Sequence, residues 1–302
     1  MDWDDLRIFL AVARSESLSS AGRRLGVDAS TVGRRVARLE LALGAQLFVK
    51  TPQGYALAAE GERLLPHAEA AEAALKGGAE ALTGQGELTG QFRIGAPDGC
   101  ANYLLPQICA GICADNPGLE IQIVAQPRVF NLTRREADMA VAVSPPRTGR
   151  QTVQKLTDYH LHLAAHEDYL RDHPPIRDLA DLRQHRMIGY IADMIHDPEL
   201  DYLTETGVET AALTSNSVSV QMQAIRMAAG LGIVHDFAIP FAPGVRRILT
   251  DRISLTRSFW LIRHADDRQS ARMNRLAEAL AGGLRAEVAR LQTLVAGQEK
   301  RS

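Results

Sequence analysis

The sequence predicts an α/β chain overall, with an all-helical amino-terminal part, a long linker helix and a larger α/β part. Three observations predict it. Apolar residues recur at helical spacing through the first 43 positions, an Ala/Glu/Leu-rich heptad follows from Leu64 to Leu82, and from Gln91 short strand-like runs alternate with helical stretches. A chain of 302 residues is long enough for more than one core. No apolar run approaches the roughly 20 residues a membrane span needs. The start Met1-Asp-Trp-Asp-Asp also lacks the regions of a signal peptide, so a cytoplasmic location without a membrane partner is expected. Cys100, Cys109 and Cys113 form no CxxC pair, which suggests reduced thiols rather than a disulfide framework or a zinc site.

The formal net charge is only −2, yet Arg23 to Lys50 holds six Lys/Arg against two acids, Asp28 and Glu40. The positive charge is therefore local, where nucleic-acid binding declares itself. Leu6, Phe9, Leu10 and Ala13 repeat at helical spacing, Ser17 to Ser20 supply caps for a short second helix to Leu25, and Gly26 suits its left-handed end. Asp28 or Ser30 can cap a third helix, whose Val32, Val36, Leu39 and Leu43 form a stripe for burial. Ser30, Thr31, Arg34 and Arg38 then share the opposite face, with Arg35 at its edge. Ala21 and Gly22 leave room for close helix approach. Two helices around a tight turn, the second presenting donors outward, is the geometry that lays a recognition helix in the major groove. A solvated helix face is the plain alternative. "GAQLFVKTPQGYAL" reads as strand, turn and strand, a wing with Lys50 and Gln53 near its tip.

These residues resemble the LysR-type transcriptional regulators, whose amino-terminal domain is a winged helix-turn-helix. "LRIFLAVARSESLSSAGRRLGV", "RLELALGAQLFVKT" and "YALAAEGERLL" follow that pattern in order and spacing through the first 65 residues. Asp28, Ala29 and Gly33 depart from the Ser-Gln and Ser common at the recognition helix, and Lys50, Gln53 and Ala58 stand where Arg, Arg and Thr are common. A missing glutamine removes a bidentate adenine reader, while Lys for Arg keeps the charge and loses the fork. On this reading the candidate DNA contacts are Ser19, Ser30, Thr31, Arg34, Arg35, Arg38, Lys50, Thr51 and Gln53. Arg34 and Ser30 are expected at base edges or in the groove; Arg38, Lys50 and Thr51 are expected at phosphates.

Residues 1–60 are thus expected to form the DNA-binding domain and 61–90 the linker helix and hinge. Leu64, Ala68, Ala71, Leu75, Gly78 and Leu82 are spaced four, three, four, three and four apart, a seam along which two helices can approach, with Glu69, Glu72, Lys76 and Glu80 mostly on the outer faces. Leu64, Ala68, Ala71, Leu75 and Leu82 are the dimerisation candidates. A helix lying on its own domain is the alternative. Pairing would set two recognition helices against a pseudo-palindromic site, and the resemblance implies that use, as a homodimer or a homotetramer built as a dimer of dimers. The Gly-rich "TGQGELTG" supplies a polar linker.

From Gln91, "QFRIGAP", "LEIQIVAQ", "ADMAVAV", "YHLHLAAH", "MIGYIA", "LGIVHDF" and "SFWLIRHA" read as strands, between helical stretches at 103–115, 217–230 and 268–296. Open parallel sheets bind ligands at the carboxyl ends of their strands. This selects Asp98, Gly99, Cys100 and Ala101 after the first strand, Pro127 and Arg128 after the second, Ser144 after the third, and Asn216 and Ser217 before a helix start; His235 joins these effector-site candidates only through the family resemblance. Capping and turn chemistry explain each taken singly. The resemblance implies a two-lobed α/β effector domain over 91–302, similar to a periplasmic solute-binding protein, with a small molecule between lobe I (about 91–160 plus 266–302) and lobe II (about 161–265). His235-Asp236 stands where an apolar-Pro ending is more typical.

His160 and His162 share a strand face without an identifiable third ligand, "RIGAPDG" lacks the dinucleotide fingerprint, and no Walker loop occurs, so no metal, cofactor or enzymatic activity is expected. Cys109 and Cys113 fall on one helix face beside Ile108 and Ile112, where buried thiols are common and a redox switch would need exposure. The reading is a sequence-specific transcription factor that binds double-stranded promoter DNA and responds to a small-molecule effector. It would meet RNA polymerase if it activates. The alternative is a small-molecule-binding protein whose amino-terminal helices make protein contacts only, with Asp28 and Glu40 beside the arginines as its motive.

Overall fold

The computed structural model describes residues 2–52, 54–82, 88–125, 137–146, 151–265, 267 and 270–299. Among these, no helix is long and apolar enough to cross a membrane. The chain divides into two compact units, one holding the first four helices, the first two strands and the start of the last helix to Asn274, the other the strands from the third onward, the helices between them and the last helix from Arg275.

In the amino-terminal unit, α1 (Trp3–Ser15), α2 (Leu18–Leu25) and α3 (Ala29–Leu43) start on side-chain caps from Asp2, Ser17 and Asp28. Each cap satisfies a backbone N–H that a helix start leaves unpaired. Glycines 26 and 44, at φ 69° and 63°, end α2 and α3 in the left-handed conformation. Gly22 is required by packing: a Cβ there would lie 2.6 Å from the Val27 carbonyl oxygen, so the turn between the helices closes only on glycine. Phe9, Leu10, Val12, Ala21, Val32, Val36 and Leu39 form the core, and truncating fully buried Leu39 to Ala costs about 2–5 kcal/mol. Leu43, expected in the same stripe, is exposed. The chain turns at Gly44, and Leu47 takes the next place in the core.

The wing is the antiparallel pair β1 (Phe48–Thr51) and β2 (Gly54–Leu57), with Thr51 opposite Gly54. Glu40, which sequence placed beside the arginines, turns to this hairpin instead: its Oε1 accepts the backbone N–H groups of Leu47 and Phe48 at 2.7 and 3.2 Å. Helix α4 (Ala59–Leu82) follows. Its seam is not wholly free. Ala68 is buried in the unit's own core, Leu64 and Ala71 pack against that core, and Leu75 is 54% exposed. Glu69 and Glu72, expected on outer faces, are turned inward to Arg14, with Arg14 Nη2 donating to Glu72 Oε2 at 2.9 Å. The side chain of Leu82 lies outside the described residues.

The second unit is built on one sheet of order β10-β6-β11-β5-β3-β4, with β9 also paired to β6. Strands β3 (Gly90–Ala96), β4 (Leu119–Ala125) and β5 (Met139–Ala142) are parallel, with β3 in the middle. Helices α5 (Asp98–Tyr103) and α6 (Leu105–Asp115) make the β3-to-β4 crossover. Two long antiparallel strands, β6 (Gln151–His166) and β11 (Ser254–His264), join the halves, and the expected division between 160 and 161 falls inside β6. After the short helix α7 (Glu167–Asp172), the second half adds β7 (Ile188–Gly189), β8 (Leu213–Thr214), α8 (Val218–Arg226), β9 (Leu231–His235) and β10 (Val245–Arg247). Helix α9 (Ala271–Glu299) is the last element. Beside β9, buried Asp236 accepts from His162 Nδ1 at 2.8 Å and from Arg247 Nη1 at 2.7 Å, which ties β6, β9 and β10.

Candidate functional site

The outward face of α3 is organised from its start by Asp28. The carboxylate accepts the Thr31 N–H at 2.8 Å, the Ser30 hydroxyl at 2.5 Å and the Thr31 hydroxyl at 2.9 Å. These bonds favour the charged form and hold the Asp28 carboxyl well below the usual carboxylate range. Ser30 and Thr31 have therefore spent their hydroxyl protons and face outward as acceptors. Arg34 Nη2 donates to Thr31 Oγ1 at 3.0 Å, and among the described residues Arg34 has no acidic partner. Arg35 and Arg38 differ. Arg35 Nη1 lies 3.6 Å from Asp4, and Arg38 forks onto buried Asp5, donating from Nε at 2.7 Å, with Asp2 at 3.7 Å. The three arginines of α3 thus separate: the acidic start of α1 partly neutralises Arg35 and Arg38, and Arg34 is left on the outward face.

Ser19 and Lys50 are exposed, and Thr51 Oγ1 donates to the Gly54 carbonyl at 3.3 Å. Gln53 lies outside the described residues. The wing is anchored where α1 ends: Tyr55 N–H donates to the Glu16 carbonyl at 2.8 Å, and a Cβ at Gly54 would lie 2.2 Å from that oxygen.

In the second unit a cavity opens at the carboxyl ends of β3 and β5 and beside β9. Of the residues selected from sequence, Asp98, Gly99, Cys100, Ser144, Asn216 and His235 line it. Ala101 is buried without lining it, and Ser217 is one step behind, its Oγ donating to Asp98 Oδ2 at 3.0 Å. Pro127 and Arg128 lie outside the described residues. The sequence reading missed Tyr190, Met194, His196, Asp197 and Phe259, which line it too among further apolar residues. Tyr190 directly follows β7, so the rule that selected the others would have found it. Asp197 had no such signal, because its burial depends on contacts from Ser144, 53 positions away.

His235 is 7% exposed, with Phe237, Tyr159 and Tyr202 rings at 4.9, 5.5 and 6.2 Å. Burial lowers its pKa from the ordinary 6.5 to about 4, against the pull of Asp236 and Asp98, so the imidazole is neutral. Gly99 keeps the ring in place: a Cβ there would come within 3.0 Å of Val218 and 3.4 Å of His235. Cys100 is fully buried and Cys109 nearly so; desolvation pushes both thiols up, Cys109 to about 12. His160 is exposed on Thr256 while His162 is held by Asp236, so the two histidines do not converge.

Both parts of the chain match a described family. Residues 3–62 match the bacterial regulatory helix-turn-helix protein, lysR family, and residues 85–285 match the LysR substrate binding domain. This chain belongs to the LysR family. A probable hydrogen peroxide-inducible genes activator from Mycobacterium avium is 29% identical over 251 residues, covering 78% of each chain. The Mau operon transcriptional activator of Paracoccus denitrificans is 26% identical over 300 residues, covering 93% of this chain and 99% of that one. A full-length OxyR variant from Pseudomonas aeruginosa shares the fold with a TM-score of 0.71 at 18% identity, over 94% of this chain and 95% of that one. As a LysR-type transcriptional regulator, the chain pairs a DNA-binding helix-turn-helix with an effector-binding domain.

Proposed function

We propose that this regulator reads promoter DNA through Arg34 and Ser30 on α3, with Lys50 and Thr51 on the wing at phosphates. It would do so in the cytoplasm, as a homodimer or a dimer of dimers on a pseudo-palindromic site. The carrying observation is the outward face of α3, where Arg34 projects without an acid beside a wing that bears exposed Lys50. Arg35 and Arg38 are assigned a holding role first, since α1 acids already engage them. Ser19 and Gln53 complete the proposed contacts. Glu40 on the wing backbone and Asp28 on Ser30 and Thr31 leave the protein-contact alternative without its motive. In α4, exposed Leu75 is the part of the seam offered to a second copy, because Leu64, Ala68 and Ala71 serve the unit's own core. An activator of this design also meets RNA polymerase.

The cavity between the halves of the second unit is the proposed effector site, and the chain binds rather than transforms what enters it. An effector must prefer one arrangement of the oligomer, because a ligand with equal affinity for both shifts nothing. The Mycobacterium avium relative is named for induction by hydrogen peroxide. Here Cys100 and Cys109 are buried with raised pKa values, the reverse of a reactive thiolate, so reversible ligand binding is the favoured signal. The test is binding to fragments of the neighbouring promoter and to shuffled DNA. Arg34→Ala is expected to lose roughly tenfold or more on the promoter and much less on shuffled DNA. Equal affinity of Arg34→Ala and wild type for every fragment would sink the base-reading assignment.

A further inference from the structure

We propose that the effector is a small organic cation, an amine rather than a carboxylate, held between Asp197 and His235. The proposal rests on reading the cavity as the effector site. Among the described residues that line it, the carboxylates are Asp98 and Asp197, no Lys or Arg is present, and His196 stands beside Asp197 as a second imidazole besides His235.

The usual place for an anion in such a cleft is already filled from within. Helix α8 presents Ser217 Oγ, Ser219 N–H and Ser219 Oγ at its start, donors that suit an anionic group beside the positive end of a helix. All three end on Asp98 Oδ2, each at 3.0 Å, while Asn102 Nδ2 donates to Oδ1 at 3.1 Å. A ligand carboxylate would find these donors taken and a like charge in the same place.

Asp197 and His235 are placed differently. Asp197 is 8% exposed, and its oxygens accept from the Ser144 hydroxyl and from the Glu199 N–H at 3.0 Å. A carboxylate has about four acceptor sites, so two remain. The His235 ring is buried in the wall of the cavity, and among the described residues neither ring nitrogen is hydrogen-bonded. A buried polar ring with an open nitrogen points to a ligand group that completes the bond. Because the imidazole is neutral, one ring nitrogen accepts while the other donates, and the ring adds no positive charge beside Asp197. Tyr190 and Phe259 line the same cavity, and aromatic faces attract cations. An acid, a neutral acceptor and two rings together suit an ammonium group on a small apolar skeleton.

The test uses the full chain and three probes of one skeleton: 2-phenylethylamine, 2-phenylethanol and 3-phenylpropanoate, followed by calorimetry and by thermal unfolding. The amine is expected to bind and to raise Tm, with Asp197→Asn weakening it at least tenfold. Asp98→Asn and Asp98→Ser, which remove the internal charge, are expected to bring measurable 3-phenylpropanoate binding. Alcohol or carboxylate binding wild type as well as the amine does, or amine affinity unchanged in Asp197→Asn, would overturn the cation assignment and leave the effector cavity standing. Silence of all three probes on wild type and on both Asp98 variants would overturn the cavity's role as well.

Discussion

The recognition helix and wing carry four cations, Arg34, Arg35, Arg38 and Lys50, but two arrive with acids attached. Arg35 lies 3.6 Å from Asp4 and Arg38 is forked onto Asp5. A paired cation displaces few counterions when it meets DNA, because its own carboxylate already plays that part. Each phosphate neutralised contributes about 0.9 to the slope of log K against log salt. Counting only α3 and the wing, where among the described residues Arg34 and Lys50 have no acid partner, a dimer brings four effective cations and a slope of about −3.6; with all four of these cations free it would bring eight and a slope of about −7. Asp4→Asn is the informative perturbation, because Asp4 is half exposed and its loss frees Arg35 without opening the core. It should steepen the slope by about 1.8 for a dimer and strengthen binding to any DNA at low salt. The assay is fluorescence anisotropy on a promoter fragment and a shuffled fragment between about 50 and 200 mM salt. A wild-type slope near −7 that Asp4→Asn leaves unchanged would refute the pairing argument.

Gly22→Ala places a Cβ 2.6 Å from the Val27 carbonyl, and the crowding, about 1–3 kcal/mol, exceeds the roughly 0.5–1 kcal/mol that alanine gains in a helix, so the melt of the amino-terminal unit should fall in circular dichroism. Neutral buried His235 binds fewer protons folded than unfolded between about pH 4 and 6.5, so stability should rise with pH through that window and about 3 kcal/mol should be lost on acidifying across it. His235→Phe should flatten that part of the profile in urea denaturation at stepped pH, and an unaltered profile would show that folding does not lower the ring's pKa. A maleimide added to native protein should label half-buried Cys113 first and leave Cys100 and Cys109 until the chain unfolds, read by peptide mass. Asp28→Asn removes a fully charged group from the DNA-facing end of α3 and should raise affinity for promoter and shuffled DNA alike; a loss confined to one cytosine-bearing position would instead place the carboxylate in the groove.

What was legible in the sequence is what local chemistry decides. Ser17, Gly26 and Asp28 announced the helix boundaries because caps act within a few residues of themselves. The alternation of strands and helices announced the second unit, and the carboxyl-end rule picked out Asp98, Ser144 and Asn216, which line the cavity. The failures have one physical origin, that spacing states a face and not its partner. A heptad from Leu64 to Leu82 is equally compatible with a second chain or with the core beneath it, and Leu64, Ala68 and Ala71 serve that core while Leu75 is exposed. Likewise nothing near Asp197 says that Ser144 will reach it, or near Arg38 that Asp5, 33 positions earlier, will hold it.

The two functional surfaces use one device. At α3 a carboxylate takes up the hydroxyls of Ser30 and Thr31, and at α8 another takes up those of Ser217 and Ser219, so in each place donors that would greet an anion are turned onto the protein's own acid. Indiscriminate attraction is thereby reduced where the helix start alone would create it. Selectivity then rests with the groups left over. In the proposed reading of DNA those are Arg34 and Lys50, so the expected contact set is sparse and its loss by single substitution steep. In the cavity they are Asp197 and His235, which reverses the charge of the preferred ligand. A departure from family habit at Asp28 and at His235 is on this view a change in what each surface refuses as much as in what it binds.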